Sequence, residues 1–405
     1  MKKLESIVGI ELVPTKNYVH DTRSALSVGQ YFKEKAVDVI CIKLATWSSD
    51  NHILDMSAFC DVPFIFWTYS HISAGSLCGG QQFNMVFKEL KKQCILVHKD
   101  DENALSKIKI YSDCVALRNQ LQKSRFCLIG NRTQGMAEVI CDEFSVKEVF
   151  GPRIITIGLD EFKAMINSYS DEKALSKWQE VKSRVNKIMV SEKDGIRAIK
   201  NYFALKNYAE DQAINGFTIE CYPNYMGEVC LGFSLLADEG IASACEGDVN
   251  SLLLSFILRY LSNHPVHDID PLYLYENDNS LLGSHCGCGS FKLAESTSSI
   301  ELANVRLAKK GLCVLFPSKT GTVTLANLVG RKGTYRMGVI EGEAIQTEMV
   351  FPGNPIRVKL PIVIDKFLDI IEENGLGHHW IIAYGNHGKS LESLSSLLKI
   401  DFIHF

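Results

Sequence analysis

The sequence predicts an α/β protein with two Rossmann-like parallel-sheet domains followed by a β-rich C-terminal domain built as an antiparallel barrel. Over the first 120 residues, short β-branched runs alternate with helical patterns, which is typical of a parallel sheet with crossover helices. A second unit of this kind begins near Ser124, and from about Phe291 the runs become short and are separated by Gly, Pro and Asn. The predicted domains are 1–122, 123–290 and 291–405, since 405 residues exceed one ordinary core.

In the first predicted domain, β-branched and aromatic runs indicate strands and longer amphipathic segments indicate helices. The predicted strands are Val37–Ile42, Pro63–Trp67, Cys94–Val97 and Lys107–Ile110, and the predicted helices are Ser24–Glu34 and Asn84–Lys92.

The second predicted domain starts with a buried strand, Phe126–Ile129, and a glycine turn, GNRTQGM, before a helix at Ala137–Phe144. A strand, a glycine turn and a helix in this order can aim backbone N–H groups at an anion. The segment has neither GxGxxG nor the Walker lysine, so it is a weak nucleotide motif. The remaining elements are a strand at Arg153–Gly158, a helical covering layer at Ser170–Ala213, strands at Gly216–Cys221 and Ser243–Cys245, and helices at Glu228–Glu239 and Asn250–Leu261.

The third predicted domain is read from short runs that are bounded by turn residues. Its predicted strands are Val314–Phe316, Gly321–Val329, Thr334–Glu343, Ile356–Val363 and Asp401–Phe405, with helices at Ile364–Glu373 and Lys389–Leu397.

Composition excludes several classes of function. A hydrophobic content of 46% with 22% charged residues is typical of a globular protein, and a net charge of −4 gives no reason to expect nucleic acid as a partner. No apolar run approaches the ~18 residues of a transmembrane helix, so no membrane partner is expected. The N-terminus lacks an apolar core, and 13 cysteines without a regular framework are expected to be reduced thiols. We therefore expect a cytoplasmic protein.

The segment GIASACEGD carries the first candidate chemistry, because it places Glu246 and Asp248 after a strand and before a buried helix. The carboxyl end of a strand is where α/β folds bind ligands. Asp248 precedes an apolar helix and is expected to cap it, which leaves Glu246 as the better metal-ligand candidate. Asp270 follows 24 residues later, with one helix between the two acids. Because it precedes Pro271, Asp270 taken alone is better explained as a turn residue.

Three histidines extend this set. His285 lies in LLGSHCGCGSF and could be a satisfied turn residue, while His378 and His379 follow GLG near the C-terminus. The CxC pair at Cys286 and Cys288 does not predict zinc, because two further ligands are missing nearby. Two acids with an imidazole suit an ion of the Mg²⁺ or Mn²⁺ type.

Together CEGD, the acid 24 residues later, GSH at Gly283–His285 and GLGHHW resemble the L-fucose isomerase and L-arabinose isomerase superfamily. The likeness is clearest over 216–291 and 375–405. It implies a metal-dependent aldose–ketose isomerase with Mn²⁺, or Mg²⁺ or Co²⁺, and a cis-enediol intermediate. It also implies a homo-oligomer, a trimer or hexamer, in which a neighbouring N-terminal domain completes the pocket.

Carried over residue by residue, the resemblance implies that Glu246 binds the metal and moves a proton and that Asp270 is the second metal-binding acid. It makes His379 a metal ligand, with the adjacent His378 as the alternative for that position. It makes His285 a further site histidine. His378, Arg132 and Gln81 are expected to contact the sugar, and for Arg132 and Gln81 an ordinary surface role stays open. A deoxy sugar, a pentose and an acidic derivative such as a sulfonated hexose all remain open as substrates. The alternatives are a non-catalytic sugar-binding protein of the same fold and a divalent-metal-dependent hydrolase or aldolase.

Overall fold

The computed structural model describes residues 2–5, 7–16, 18–99 and 102–405. The chain divides into two compact units, Met1–Asn119 and Gln120–Phe405. Parallel sheets flanked by helices precede a β-rich region with an antiparallel barrel, so the predicted fold class is confirmed. The domain limits 1–122, 123–290 and 291–405 stay predictions.

The first unit is built on a parallel sheet in the order β1-β2-β3. Its strands are β1 (Ile40–Lys43), β2 (Phe64–Thr68) and β3 (Cys94–His98), and its helices are α1 (Lys2–Glu5), α2 (Thr22–Glu34), α3 (Asn51–Ser57), α4 (Ser76–Glu89) and α5 (Glu102–Lys123), the last of which continues past the unit boundary. Edge-to-face contacts of Phe64 and Phe66 on β2 with Phe87 on α4 form the centre of its core.

The predicted strand at Lys107–Ile110 is wrong, because the segment lies inside α5. Its buried residues Ala104, Ile108, Tyr111 and Val115 are three or four positions apart, which is the helical period. Four alternating residues were too short a window to distinguish the two periods.

The second unit contains the remaining elements. Its strands are β4 (Arg125–Ile129), β5 (Arg153–Ile157), β6 (Lys187–Ile188), β7 (Gly216–Ile219), β8 (Ala242–Ala244), β9 (His267–Tyr275), β10 (Ser280–Ser284), β11 (Glu301–Val305), β12 (Lys310–Leu315), β13 (Gly321–Arg331), β14 (Thr334–Ile345), β15 (Ile356–Lys359), β16 (Trp380–Tyr384) and β17 (Asp401–His404). Its helices are α6 (Glu143–Val149), α7 (Leu159–Asn167), α8 (Asp171–Lys182), α9 (Glu192–Gln212), α10 (Cys230–Glu239), α11 (Val249–Ser262), α12 (Ile364–Asn374) and α13 (Gly388–Leu398).

A parallel sheet in the order β5-β4-β7-β8 opens this unit. The predicted helix at Ala137–Phe144 is divided: a 3₁₀ turn covers Ala137–Val139, and α6 begins only at Glu143. The carboxylate of Asp142 accepts the Ser145 N–H, and this cap fixes the start of α6.

An antiparallel barrel follows, in which β13, β16, β9, β10, β15 and β14 form a closed ring because β13 also pairs with β14. Strands β9 and β10 were not predicted, since HDIDPLYLY mixes acids and a proline with its apolar residues. Pro271 is tolerated there because it faces Gly283 at a register shift in the β9–β10 ladder. Asp270 therefore lies inside a strand.

A three-stranded sheet, β12-β11-β6, packs its apolar side chains into the same core as α9 and α10. All 13 cysteines are free thiols, and most are buried. Within the described ranges, no helix has the length and apolarity needed to cross a bilayer.

Candidate active site

The acidic turn between β8 and α11 is held in an unusual backbone conformation. Glu246 and Gly247 both have positive φ, +65° and +73°. The Thr133 N–H donates to the Glu246 carbonyl at 2.9 Å. A Cβ on Gly247 would lie 2.4 Å from the Asn131 carbonyl oxygen, so the GNRTQGM turn is packed directly on it. A non-glycine residue in this region is strained, and such strain is concentrated at functional sites.

Asp248 caps α11, as predicted. Its Oδ1 accepts the backbone N–H groups of Asn250 at 2.9 Å and Ser251 at 3.0 Å. The same carboxylate also reaches across to the barrel: its Oδ2 lies 2.8 Å from Nδ1 of His379. This second role was missed, because a capping carboxylate gives no sequence signal for a distant partner.

The barrel register gathers the other candidates at one end of three neighbouring strands. Ser284 at the end of β10 pairs with Asp270 on β9, and Ile269 pairs with Trp380 at the start of β16. His285 directly follows Ser284, which is paired with Asp270. His379 directly precedes Trp380, which is paired with Ile269, the residue before Asp270. Antiparallel pairing thus joins three segments that are far apart along the chain.

His379 is the centre of the site and is only 4% exposed. Its Nε2 lies 3.0 Å from Glu246 Oε2 and 3.8 Å from Asp270 Oδ1. Burial alone would lower the pKa of His379, but hydrogen bonds to Asp248 and Glu246 raise it to about 11. Without a metal, the imidazole is therefore protonated between two carboxylates, and an ion bound at Nε2 would take the place of the Nε2 proton.

The pKa values of Glu246 and Asp248 are shifted in the opposite direction to that of His379. Burial disfavours the charged carboxylates, yet the hydrogen bonds and positive charge of His379 leave the pKa of Glu246 and that of Asp248 below their ordinary values. Both acids are therefore ionised at neutral pH, as metal ligands and proton acceptors must be.

The donor set fits a divalent cation. Single ligand atoms of Glu246, His285 and His379 lie within 4.8 Å of one another, as do those of Asp270, His378 and His379. Among the described residues, Asp270 Oδ1 and His285 Nε2 are buried without a hydrogen-bond partner. A buried polar atom without a partner is costly, and a cation coordinated by these atoms would satisfy them.

Comparison with known proteins finds relatives that match most of the chain. The chain is 22% identical over 382 residues to a sulfoquinovose isomerase of Alkalicoccus urumqiensis, covering 90% of this chain and 86% of the relative. It is 21% identical over 388 residues to a sulfoquinovose isomerase of Priestia aryabhattai, covering 91% and 86%. An L-arabinose isomerase of Pediococcus pentosaceus is 20% identical over 351 residues, covering 80% and 73%. No family profile matches the chain.

Over most of its length the chain is similar to sugar isomerases, which include sulfoquinovose isomerases and L-arabinose isomerases. These matches confirm the predicted resemblance to the fucose and arabinose isomerase superfamily and the predicted isomerase class. The carboxylates and imidazoles of the site are also compatible with a divalent metal.

The open side of the candidate site is formed by Asp270, His378 and Glu138, whose side chains are 34%, 38% and 46% exposed. Nδ1 of His378 is paired with Glu138, and its Nε2 lies 4.0 Å from Asp270 Oδ1. His378 therefore faces the side from which a substrate would enter. Glu138 was not predicted, because nothing in its 3₁₀ turn distinguishes it from a surface acid.

Arg132 and Gln81 are the two remaining predicted sugar contacts. Arg132 lines a cavity of about 240 Å³ together with Gly130, Asn131, Glu143 and Gly247, so it borders the acidic turn. Its Nη1 donates to the Thr133 carbonyl at 3.2 Å. Gln81 is exposed on α4 of the first unit.

One further acid is buried next to the acidic turn. Asp268 is 8% exposed, and its Oδ2 accepts the Cys245 N–H at 3.3 Å, next to Glu246. Burial raises its pKa. Its two-residue spacing from Asp270 puts both on the same face of β9, a signal that was visible once a strand had been recognised.

Proposed function

We propose that this chain is a divalent-metal-dependent aldose–ketose isomerase that acts through a cis-enediol intermediate. The observation that carries the proposal is the convergence of Glu246, Asp270, His285 and His379, with Asp270 Oδ1 and His285 Nε2 buried and without partners among the described residues. The packing of a folded core does not require two acids and two imidazoles to converge from separate elements.

In this proposal Glu246, Asp270 and His379 hold the ion, which is Mn²⁺, or Mg²⁺ or Co²⁺. His285 lies close enough to join them or to contact the sugar. The ion would supply Lewis-acid stabilisation of the negative charge that develops on the sugar oxygens O1 and O2. Asp248 holds Nδ1 of His379, which orients Nε2 toward Glu246 and Asp270.

The proton transfer belongs to the two acids. In the aldose-to-ketose direction, Glu246 removes the C2 proton to give the cis-enediol and returns it to C1, while Asp270 relays the hydroxyl proton from O2 to O1. The bond C2–H is broken and C1–H is formed, so no proton is gained or lost overall. His378 on the open side would orient the sugar through its hydroxyl groups.

We take sulfoquinovose as the first substrate to test, because relatives that match about 90% of this chain are named sulfoquinovose isomerases, and L-arabinose as the second. The cation of Arg132 beside the acidic turn would receive the anionic end of such a hexose. We also propose a cytoplasmic homo-oligomer, a trimer or hexamer, with Gln81 contributing to the sugar site.

The test is isomerisation by metal-stripped full-length protein, with Mn²⁺ or with EDTA, in deuterated water. We expect ketose formation and deuterium at the exchanged carbon only with Mn²⁺. Glu246→Gln should reduce turnover by about 10²–10⁴-fold, since that is the usual contribution of a positioned acid or base. Glu148→Gln, on the exposed face of α6, is the matched control and should keep wild-type turnover.

Sugar binding without turnover would instead support the binding-protein alternative. Cleavage of the sugar or release of a fragment would support the hydrolase or aldolase alternative. If Glu246→Gln isomerised the sugar at the wild-type rate, Glu246 would not be the base of the reaction.

A further inference from the structure

A cluster of three cysteine thiols lies next to the proposed metal site. Cys245 precedes Glu246 in the chain, Cys288 lies three residues after His285, and Cys221 follows β7. These three residues are only 4%, 9% and 9% exposed. The sulfurs of Cys245 and Cys288 are 3.6 Å apart, and the thiol of Cys221 interacts with that of Cys245.

The spacing is that of a tetrahedral metal site. Two thiolates bound at about 2.3 Å to one tetrahedral zinc ion lie about 3.8 Å apart. A ring nitrogen of His285 lies within 4.8 Å of both sulfurs, so three soft or borderline donors already converge. No further ligands lie close to the CxC pair along the chain, but the fold brings Cys245 from the acidic turn beside Cys288.

His285 supplies the second observation. It is 3% exposed, and its Nε2 has no hydrogen-bond partner among the described residues. Two thiolates would also neutralise a dication, so an ion could be held in this buried place without leaving a net charge. The Nδ1 of His285 accepts the Cys286 N–H at 2.9 Å, and its Nε2 lies 4.0 Å from Asp270 Oδ2. Hydrophobic packing of three cysteines explains their burial, but it does not explain a buried imidazole with a ring nitrogen within 4.8 Å of two of their sulfurs.

We propose that Cys245, Cys288 and His285 form a second cation site that binds a thiophilic ion of the zinc class. It differs from the acid site in its donors, which are sulfur and nitrogen where the acid site offers carboxylate oxygen. Cys221, whose thiol interacts with that of Cys245, would supply the fourth ligand.

The two sites share His285, and Cys245 is the residue directly before Glu246 in the chain. An ion at the thiol site therefore competes for His285 and restrains the acidic turn. This consequence rests on the proposed isomerase function, whereas the binding itself does not. A thiophilic ion should inhibit the Mn²⁺-loaded enzyme, and a stronger zinc chelator should reverse the inhibition.

The binding test uses reduced, metal-stripped full-length protein titrated with Co²⁺ in the absence of oxygen, after free thiols have been counted. We expect a sulfur-to-cobalt charge-transfer band, which a site with only oxygen and nitrogen ligands does not produce. Cys288→Ser should lower Co²⁺ affinity at this band by at least ~10-fold, the lower limit seen when even an outer partner of a metal site is lost. Cys245→Ser is the second variant, in case Cys288→Ser does not fold by circular dichroism.

Two controls separate this site from other binding. Cys78→Ser removes an exposed thiol of the first unit and should leave the band unchanged. Glu246→Gln should also keep the band even if it abolishes isomerisation, so failure of the proposed function is distinguishable from failure of this site. The proposal is overturned if wild-type protein shows no sulfur band, if Cys288→Ser and Cys245→Ser both retain it, or if the counted thiols show that Cys245 and Cys288 are joined as a disulfide.

Discussion

At the scale of single residues, Asp248 carries two duties that are usually separate. One oxygen caps α11, and the other holds the imidazole of His379. A carboxylate behind a ligand histidine fixes its orientation and raises its basicity. The residue was predicted as a cap, and its place in the site depends on a contact with a residue 131 positions away, which no local pattern encodes.

Asp248→Asn separates the two duties. The amide oxygen can still cap α11, but the negative charge beside His379 is lost. We expect Mn²⁺ affinity, measured by calorimetric titration, to fall about 10–100-fold. Asp142→Asn is the matched control, since Asp142 also caps a helix through Ser145 and should leave Mn²⁺ affinity unchanged. An equal loss in both variants would mean that Asp248 acts only as a cap.

The charge of Arg132 is expected to matter for anionic sugars and not for neutral ones. A hydrogen bond to a charged group contributes about 1.5–3 kcal/mol. Arg132→Gln should therefore raise KM for sulfoquinovose about 10–100-fold with little change in kcat, and KM for L-arabinose should hardly change. Arg153→Gln, an exposed arginine at the start of β5, is the control. Equal effects of Arg132→Gln on both sugars would indicate a structural role.

His379 makes the stability of the metal-free protein depend on pH. Its pKa is raised from 6.5 to about 11, so its contribution to the free energy of unfolding is complete below pH 6.5 and is lost as the pH rises towards 11. The lowered pKa values of Glu246 and Asp248 affect only acidic pH. The stability difference between wild type and His379→Asn, from urea unfolding with EDTA, should therefore be larger at about pH 6 than at about pH 9. His404→Asn, which is exposed on β17, should show no such trend.

At the scale of elements, the acidic turn depends on its neighbour. Gly247 combines a φ of +73° with a carbonyl 2.4 Å from any Cβ. Gly247→Ala therefore adds a collision to the cost of about 1–2 kcal/mol that alanine has in this conformation. Gly135 has a φ of +93° with nothing described within 4 Å of its Cβ, so Gly135→Ala has the conformational cost alone. We expect the larger loss of unfolding free energy, and a loss of Mn²⁺ affinity, in Gly247→Ala only.

Elements with a strong local signal could be predicted from the sequence, and elements without one could not. The acidic turn, its buried helix and Asp248 as a cap follow from an apolar run that changes to acids and then to a helical period. Strand β9 could not be recognised, because its apolar positions alternate with acids and a proline that a barrel tolerates at a bulge.

At the scale of the whole molecule, the candidate site residues could be named from the sequence, but the way in which the fold brings them together could not be predicted. Glu246, Asp270, His285 and His379 were named from motifs that lie up to 133 residues apart, as the contact between Glu246 and His379 shows. Their meeting depends on the register of β9 with β10 and β16, and a shift of one residue would turn Asp270 to the other face. Register is decided by packing inside the closed barrel, which is a property of the folded chain.

The shared carboxylate of Asp248 also makes the first turn of α11 a reporter for events in the barrel. The amide hydrogens of Asn250 and Ser251 are bonded to it, so they can exchange with solvent only when that cap opens. An ion that fixes His379 should hold the cap closed and slow deuterium uptake at these two amides, while the Ser145 amide under the independent Asp142 cap exchanges as before. Unchanged uptake at Asn250 and Ser251 on adding Mn²⁺ would show that helix and ion site open separately. If uptake at these two amides slows, hydrogen exchange at the start of α11 reports whether the ion is bound.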